Sequence, residues 1–178
     1  MQTVIAYTDG SAVVSGANKG KGGFGVYFPN LFGKKKGLAK GYEQTKTGRT
    51  EILALYHAIK AIPLSYSEAI TLQVWSDSQY VVKAFTEKRL QKWISNGWTN
   101  SSGSVKNRDL WEGVLRALKN RPNLTLDINW IKAHQVEKAT NIFKKKLLMQ
   151  DEHIIGNIVA DKLANRWRLG KLNKSDKV

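Results

Sequence analysis

Apolar residues follow two rhythms along the chain, one suited to strands and one to helices. Residues 3–8 are β-branched, aromatic or apolar and stop at Asp9, Gly10 and Ser11, which predicts a strand with Asp9 at its carboxyl end. A Gly-, Ser- and Lys-rich stretch follows, then a second strand over 24–28 that Pro29 and Asn30 end, and a third over 37–44 beyond the basic Gly33 to Lys36 turn. Over 50–62, Ile52, Leu53, Leu55, Tyr56, Ile59 and Ile62 recur at helical spacing until Pro63, with Glu51 in the first turn. Residues 70–75 predict a strand that delivers Ser76, Asp77 and Ser78 to the start of a helix running to 85. A basic, Trp-bearing segment over 88–98 and a polar loop over 99–104 lead to a helix over 106–119 and a strand over 124–131. Residues 136–153 carry Ile142, Phe143, Leu147 and Leu148 around a lysine triplet and predict an extra helix. A last helix over 154–169 sets Asp161 beside its apolar face, and 170–178 reads as a frayed basic tail.

Three strands, a helix, a strand, helices, a strand and a helix predict an α/β domain with one mixed sheet covered on both faces. The length of 178 residues suits a single domain with its own core, and neither a repeat nor an interdomain linker interrupts it. Cysteine is absent, which excludes a disulfide framework, a zinc ribbon and a Cys nucleophile, so any metal must be held by oxygen or His. The lack of a leader-like start or a long apolar run points to a cytoplasmic protein without a membrane partner. Lys and Arg outnumber Asp and Glu by 29 to 14, a formal net charge of +15 that exceeds what solubility needs and favours a polyanionic partner, nucleic acid above all.

Three acids, Asp9, Glu51 and Asp77, fall where strands end or helices begin, and the last helix can bring Asp161 alongside. Carboxylates that converge cannot all stay ionised without cations, and an all-oxygen site suits Mg²⁺ or Mn²⁺. Each acid taken singly also has a plain structural reading: a turn residue at Asp9, a dipole partner at Glu51, a helix cap at Asp77 and a surface ion pair at Asp161. Spacing does not choose between these readings.

The words around the acids do. Tyr7-Thr8-Asp9-Gly10-Ser11, Gly22-Gly23-Phe24-Gly25, Arg49-Thr50-Glu51-Ile52-Leu53-Ala54-Leu55, Ser76-Asp77-Ser78-Gln79-Tyr80, Val105-Lys106-Asn107-Arg108-Asp109-Leu110-Trp111, Trp130-Ile131-Lys132-Ala133-His134 and Asn157-Ile158-Val159-Ala160-Asp161-Lys162-Leu163-Ala164 resemble, in order, the blocks of the type 1 ribonuclease H family, in its bacterial or phage-like stand-alone form. The resemblance implies a ribonuclease H-like fold with a five-stranded mixed sheet, three strands antiparallel and then two parallel, and a catalytic domain over 1–169 with an insertion over 136–153. It also implies endonucleolytic hydrolysis of the RNA strand of RNA–DNA hybrids by two Mg²⁺ ions, with Mn²⁺ as substitute, leaving 5′-phosphate and 3′-hydroxyl ends. Asp9, Glu51, Asp77 and Asp161 would hold the metals and His134 would assist proton transfer or product departure. Gly10, Ser11, Asn18, Thr47, Gln79, Trp93, Trp98, Asn107 and Asn157 would face substrate, and the protein would act as a monomer.

Three departures from the family pattern stand out. The loop after Ser11 is longer, so Asn18 is placed approximately; Thr47-Gly48-Arg49 replaces the usual Asn-Asn-Arg, which leaves Thr45 and Thr47 both eligible for the phosphate pocket; and His134 is farther from Asn157 than usual. Two other functions share these features. One is a non-catalytic hybrid-binding module, against which the presence of all four acids argues. The other is a DNA-acting nuclease of the resolvase or integrase kind, against which the Asp77 and Asn107 blocks argue.

Overall fold

The computed structural model describes residues 2–178. Five strands form one sheet in the order β3-β2-β1-β4-β7, where β1 is Gln2–Ala12, β2 Gly22–Leu31, β3 Lys34–Tyr42, β4 Ile70–Ser76 and β7 Leu124–Trp130. The first three pair antiparallel, and β4 and β7 run parallel to β1 and to each other, as the family resemblance implies. Helices α1 (Thr47–Lys60), α2 (Gln79–Thr86), α3 (Arg89–Ser95) and α4 (Arg108–Lys119) follow in chain order, then α5 (Ile142–Leu148) and α6 (Glu152–Ala164). The residues predicted as a polar loop contain a small hairpin, β5 (Thr99–Asn100) and β6 (Gly103–Ser104).

The main core lies between one face of the sheet and α1, α2 and α4: Val4, Ala6, Leu72 and Val74 meet Ile52, Leu55, Ile59, Val81, Leu110 and Trp111. The period-2 alternation of β1 sends Ala6, Thr8 and Gly10 toward α1 and Tyr7 and Asp9 toward the opposite face, which α6 covers. Two glycines set how closely these helices approach. A Cβ on Gly10 would collide with the backbone of Thr50 and Glu51, and one on Gly25 with the backbone of Ala160 and Ala164. Both helices therefore pack backbone against strand at the height of Asp9, which pairs with Gly25 in the ladder.

Several element boundaries differ from those predicted. β1 does not stop at Asp9 but continues to Ala12, because β2 goes on pairing with it after the parallel partner β4 has ended at Ser76 opposite Thr8. Pro29 does not end β2; the ladder shifts register between Phe28 and Leu31 and so accommodates a residue without an N–H. β3 starts at Lys34, earlier than its thin apolar content suggests. α1 starts at Thr47, which moves Glu51 into the second turn, beyond the terminal amides that a dipole partner would answer. In the 136–153 insertion only Ile142–Leu148 is helical, capped by Asn141. The final helix begins at Glu152, capped by Asp151, and ends at Ala164 before a short 3-10 turn over Arg166–Leu169.

The last nine residues, expected to fray, lie against the body of the protein. Asn173 bridges to Tyr42, and the buried Asp176 carboxylate accepts hydrogen bonds from Thr45 Oγ1 at 2.8 Å and from Arg49 Nε at 2.7 Å. Arg49 also grips Asp109 of α4 through both terminal nitrogens, so one guanidinium joins α1, α4 and the C-terminal segment. No sequence pattern foretells this, because a Lys-rich tail looks solvated until a sheltered cation is found beneath its single acid. Among the described residues, no helix is long and apolar enough to cross a membrane.

Asp176→Ala leaves the Arg49 charge half satisfied in a sheltered position and should cost about 2–3 kcal/mol. Urea denaturation checks this: the midpoint should fall at unchanged slope, whereas an unchanged midpoint would mean the tail adds no stability.

Candidate active site

Four elements deliver the predicted acids to one end of the sheet. Asp9 lies in β1 one residue past the last β1–β4 pair, and Asp77 follows the end of β4, where Ser78 caps α2, so parallel pairing brings these two acids side by side. Glu51 arrives from the other face of the sheet on α1, over the bare backbone of Gly10. Ligand oxygens of Asp9, Glu51 and Asp77 all lie within 4.8 Å of one another. Asp161, half-buried on α6, completes the lining of an open cavity of about 370 Å³ together with Gly10, Ser11, Thr47, His134 and Asn165.

Burial makes this grouping costly. Asp9 and Glu51 are only 7% and 9% exposed. Loss of water and the facing Asp77 and Asp161 push the Asp9 carboxyl well above the usual carboxylate range, against a modest counter-pull from the Gly10 N–H. Desolvation, then Asp9 and Asp77, do the same to Glu51. Burial also raises Asp77, opposed chiefly by the Asn157 amide, which donates to Oδ2 at 3.5 Å, and by the nearby His134. Glu51 Oε2 is buried with no hydrogen-bond partner among the described residues. A buried carboxyl oxygen without a partner, beside two more carboxyls, is a donor set that fits a hard divalent cation.

His134 sits on the cavity rim, mostly exposed, with a left-handed backbone (φ 53°) and Nδ1 at 3.8 Å from Glu137. Asn157 is buried beside Asp77, and Gln79 is exposed at the first position of α2. Of the two threonines, Thr45 is buried with its hydroxyl committed to Asp176, whereas Thr47 is exposed and lines the cavity. Asn107, left-handed at φ 60°, donates to the Tyr80 hydroxyl at 3.3 Å and lies against Gly48, which puts it near the same rim.

Three predicted substrate residues are placed differently. Asn18 lies outside the acidic cavity, in the β1–β2 loop beside Lys21, Trp167 and Arg168. Trp98 is buried in the main core with Arg108 over its ring, and Trp93 is half-buried against Tyr80 and Trp111. Their large apolar faces found more water-free area in the α2–α3–α4 cluster than at the surface.

Two residues at the site are not singled out by the sequence. Asn165, the C-cap of α6, donates to Asp161 Oδ1 at 3.0 Å and accepts from Ser11 Oγ at 2.9 Å; its i, i+4 spacing from Asp161 is the signal that could have found it. Trp130, half exposed at the end of β7, donates from Nε1 to the Asp77 carbonyl at 3.3 Å, a hydrogen bond that no sequence pattern announces.

Comparisons with known proteins bear on the family and the fold. The RNase H family model matches residues 1–168. A ribonuclease H of Syntrophus aciditrophicus (strain SB) is 37% identical over 137 residues, covering 76% of this chain and 72% of that protein. The ribonuclease HI of Synechocystis sp. (strain ATCC 27184 / PCC 6803 / Kazusa) is 31% identical over 137 residues, 76% of this chain and 79% of its own. The solution structure of the PFV RNase H domain superposes with a TM-score of 0.65 at 26% identity, over 92% of this chain and 93% of that one. RNase H1 from the halophilic archaeon Halobacterium salinarum NRC-1 shares the fold at a TM-score of 0.54 and 19% identity, over 93% and 97% of the two chains.

Because the folded state raises these carboxyl pKa values, it binds protons more tightly than the unfolded chain does. Without metal, the stability they contribute should therefore be greatest below the ordinary carboxylate pKa of about 4 and be lost as pH rises from there through the folded-state values. Asp9→Asn removes one repelling charge and should raise the metal-free melting temperature at pH 7, by about 2–4 °C for each kcal/mol relieved. Scanning calorimetry in chelator decides the point: a lower melting temperature for the variant would contradict the repulsion.

Proposed function

Given that this chain belongs to the ribonuclease H family of hydrolytic nucleases, we propose that it cuts the RNA strand of RNA–DNA hybrids with bound Mg²⁺, leaving 5′-phosphate and 3′-hydroxyl ends. The observation that carries this reading is the meeting of Asp9, Glu51 and Asp77 within 4.8 Å, with a buried, unpartnered Glu51 oxygen among them. Divalent ions held by these acids would supply water activation on one side of the phosphorus and charge neutralisation on the other. Asp9, central to the cluster, would be the acid shared by both ions, Asp161 the ligand on the nucleophile side, and Glu51 and Asp77 the ligands on the leaving-group side. Mn²⁺ would substitute for Mg²⁺.

The chain's own groups have separate tasks. His134, exposed on the rim with φ 53°, suits proton transfer at the scissile phosphate better than metal holding. Thr47 and Asn107 take a backbone phosphate of the DNA strand, since the Thr45 hydroxyl is already held by Asp176. Gly10 and Ser11 main chain, Gln79 and Asn157 face the RNA strand, where a 2′-hydroxyl distinguishes RNA from DNA. Among the described residues, none of Lys144, Lys145 and Lys146 on α5 makes an ion pair, and Phe143 beside them is 82% exposed. These unpaired charges suit phosphates of the duplex beyond the cavity. A monomer suffices, because every proposed group comes from one chain.

Cleavage of matched hybrid, double-stranded DNA and double-stranded RNA, with Mg²⁺ or chelator, tests the activity: metal-dependent cutting of the hybrid alone is expected, and preferential cutting of duplex DNA would overturn the substrate assignment. Asp9→Asn should reduce turnover by roughly 10³-fold or more with hybrid affinity largely kept. Replacing Lys144, Lys145 and Lys146 by Gln should raise KM and lower the slope of log K against log salt by about 0.9 for each phosphate that is no longer neutralised. An unchanged slope would remove α5 from the binding surface.

A further inference from the structure

One imidazole touches the three elements that carry Asp9, Asp77 and Asp161. His153, in the first turn of α6, stacks on the Trp75 ring with centroids 3.9 Å apart and planes 29° from parallel. Its Nδ1 shares a hydrogen bond of 3.0 Å with the hydroxyl of Tyr7. Tyr7 lies two residues before Asp9 on the same face of β1, and Trp75 two residues before Asp77 on β4. His153 itself precedes Asn157 by one helical turn and Asp161 by two. The Tyr7 ring also fills the space where Gly156 lacks a side chain; a Cβ there would collide with Cδ2, Cε2 and Cζ of the ring.

This arrangement leaves α6 little freedom. An α-helix resting on a sheet can slide along its axis or roll, and either motion carries Asp161 away from Asp9. The Tyr7 ring seated on Gly156 opposes rolling, and the hold of His153 on two adjacent strands opposes sliding. Tyr7 is 1% exposed, so its hydroxyl has little water to bond in place of His153. Nearer the cavity, α6 is held by close backbone packing at Gly25 and by the hydrogen bonds of Asn157 to Asp77 and of Ser11 to Asn165; the His153 contacts add the restraint at its N-terminal end.

We infer that His153, with Tyr7 and Trp75, is a positioning residue that holds the Asp161 helix in register with Asp9 and Asp77 and so tunes the affinity of the acidic cavity for divalent cations. The inference rests on the metal-binding reading of that cavity. His153 touches neither the cavity nor a substrate; it acts through the helix.

Tyr7→Phe and His153→Phe each keep an aromatic ring in place and remove only the shared hydrogen bond, so both variants should fold. Mn²⁺ binding by isothermal titration calorimetry, without nucleic acid, should weaken by roughly 10-fold in each, as for other groups that orient metal ligands from behind. The double variant should weaken no further than either single one, because the same bond is removed, and KM for hybrid should stay within about twofold of wild type. Dissociation constants within about twofold of wild type in both single variants, whatever their melting temperatures, would overturn the positioning role and leave a packing interaction. Additive effects in the double variant would overturn it too, since the residues would then act apart. Failure of the wild-type protein to bind Mn²⁺ would instead sink the metal reading of the cavity, a different result from the same titration.

Discussion

Carboxylates that repel one another and have lost water must be held together by something other than their own interactions. In this protein the restraint is the close approach of two helices to opposite faces of one strand. Gly10 admits the backbone of α1 from one side, and Gly25, paired with Asp9 in the neighbouring strand, admits α6 from the other. Asp9 is the fixed point between them, where lost water and the facing Asp77 and Asp161 push its carboxyl pKa up. The large core beneath, with Ile52, Leu55 and Ile59 packed against Val4, Ala6 and Val74, supplies the stability that offsets the acidic end.

The direction of the strands matters as much as the packing. Parallel pairing of β1 with β4 places their carboxyl ends together, so Asp9 and Asp77 become neighbours although 68 positions separate them. Antiparallel pairing with β2 lets β1 run on past that point, which gives Asp9 a fixed backbone where a free strand end would move. A mixed sheet thus combines the site position of a parallel fold with the rigidity of an antiparallel one. Hydrogen bonds from Asn157 to Asp77 and from Asn165 to Asp161 then orient the two acids that are less buried.

Arg49, two residues before Glu51, is bound by Asp109 and by Asp176 from the C-terminal segment, which ties the start of α1 to α4. The lysines of α5 remain free of ion pairs among the described residues, so part of the +15 charge stays available to a polyanion. The sheltered cation at Arg49 serves the fold, while the α5 lysines face solvent.

Much of this was legible in the residues alone. Alternating and helical apolar spacing revealed the strands and the long α1, because those periods reflect one-sided burial of each element. The words around Asp9, Glu51, Asp77 and Asp161 identified the family, and a composition of 29 basic against 14 acidic residues indicated the partner class. What the sequence could not determine depends on groups distant along the chain. That β1 continues past Asp9 was decided by β2, that Trp98 is buried was decided by the α2–α3–α4 cluster, and that the basic tail is pinned was decided by a sheltered Arg49. The meeting of Tyr7, Trp75 and His153 likewise has no local signature. Periodicity reports which face of an element avoids water; only the packed tertiary structure decides which partner that face or charge finds.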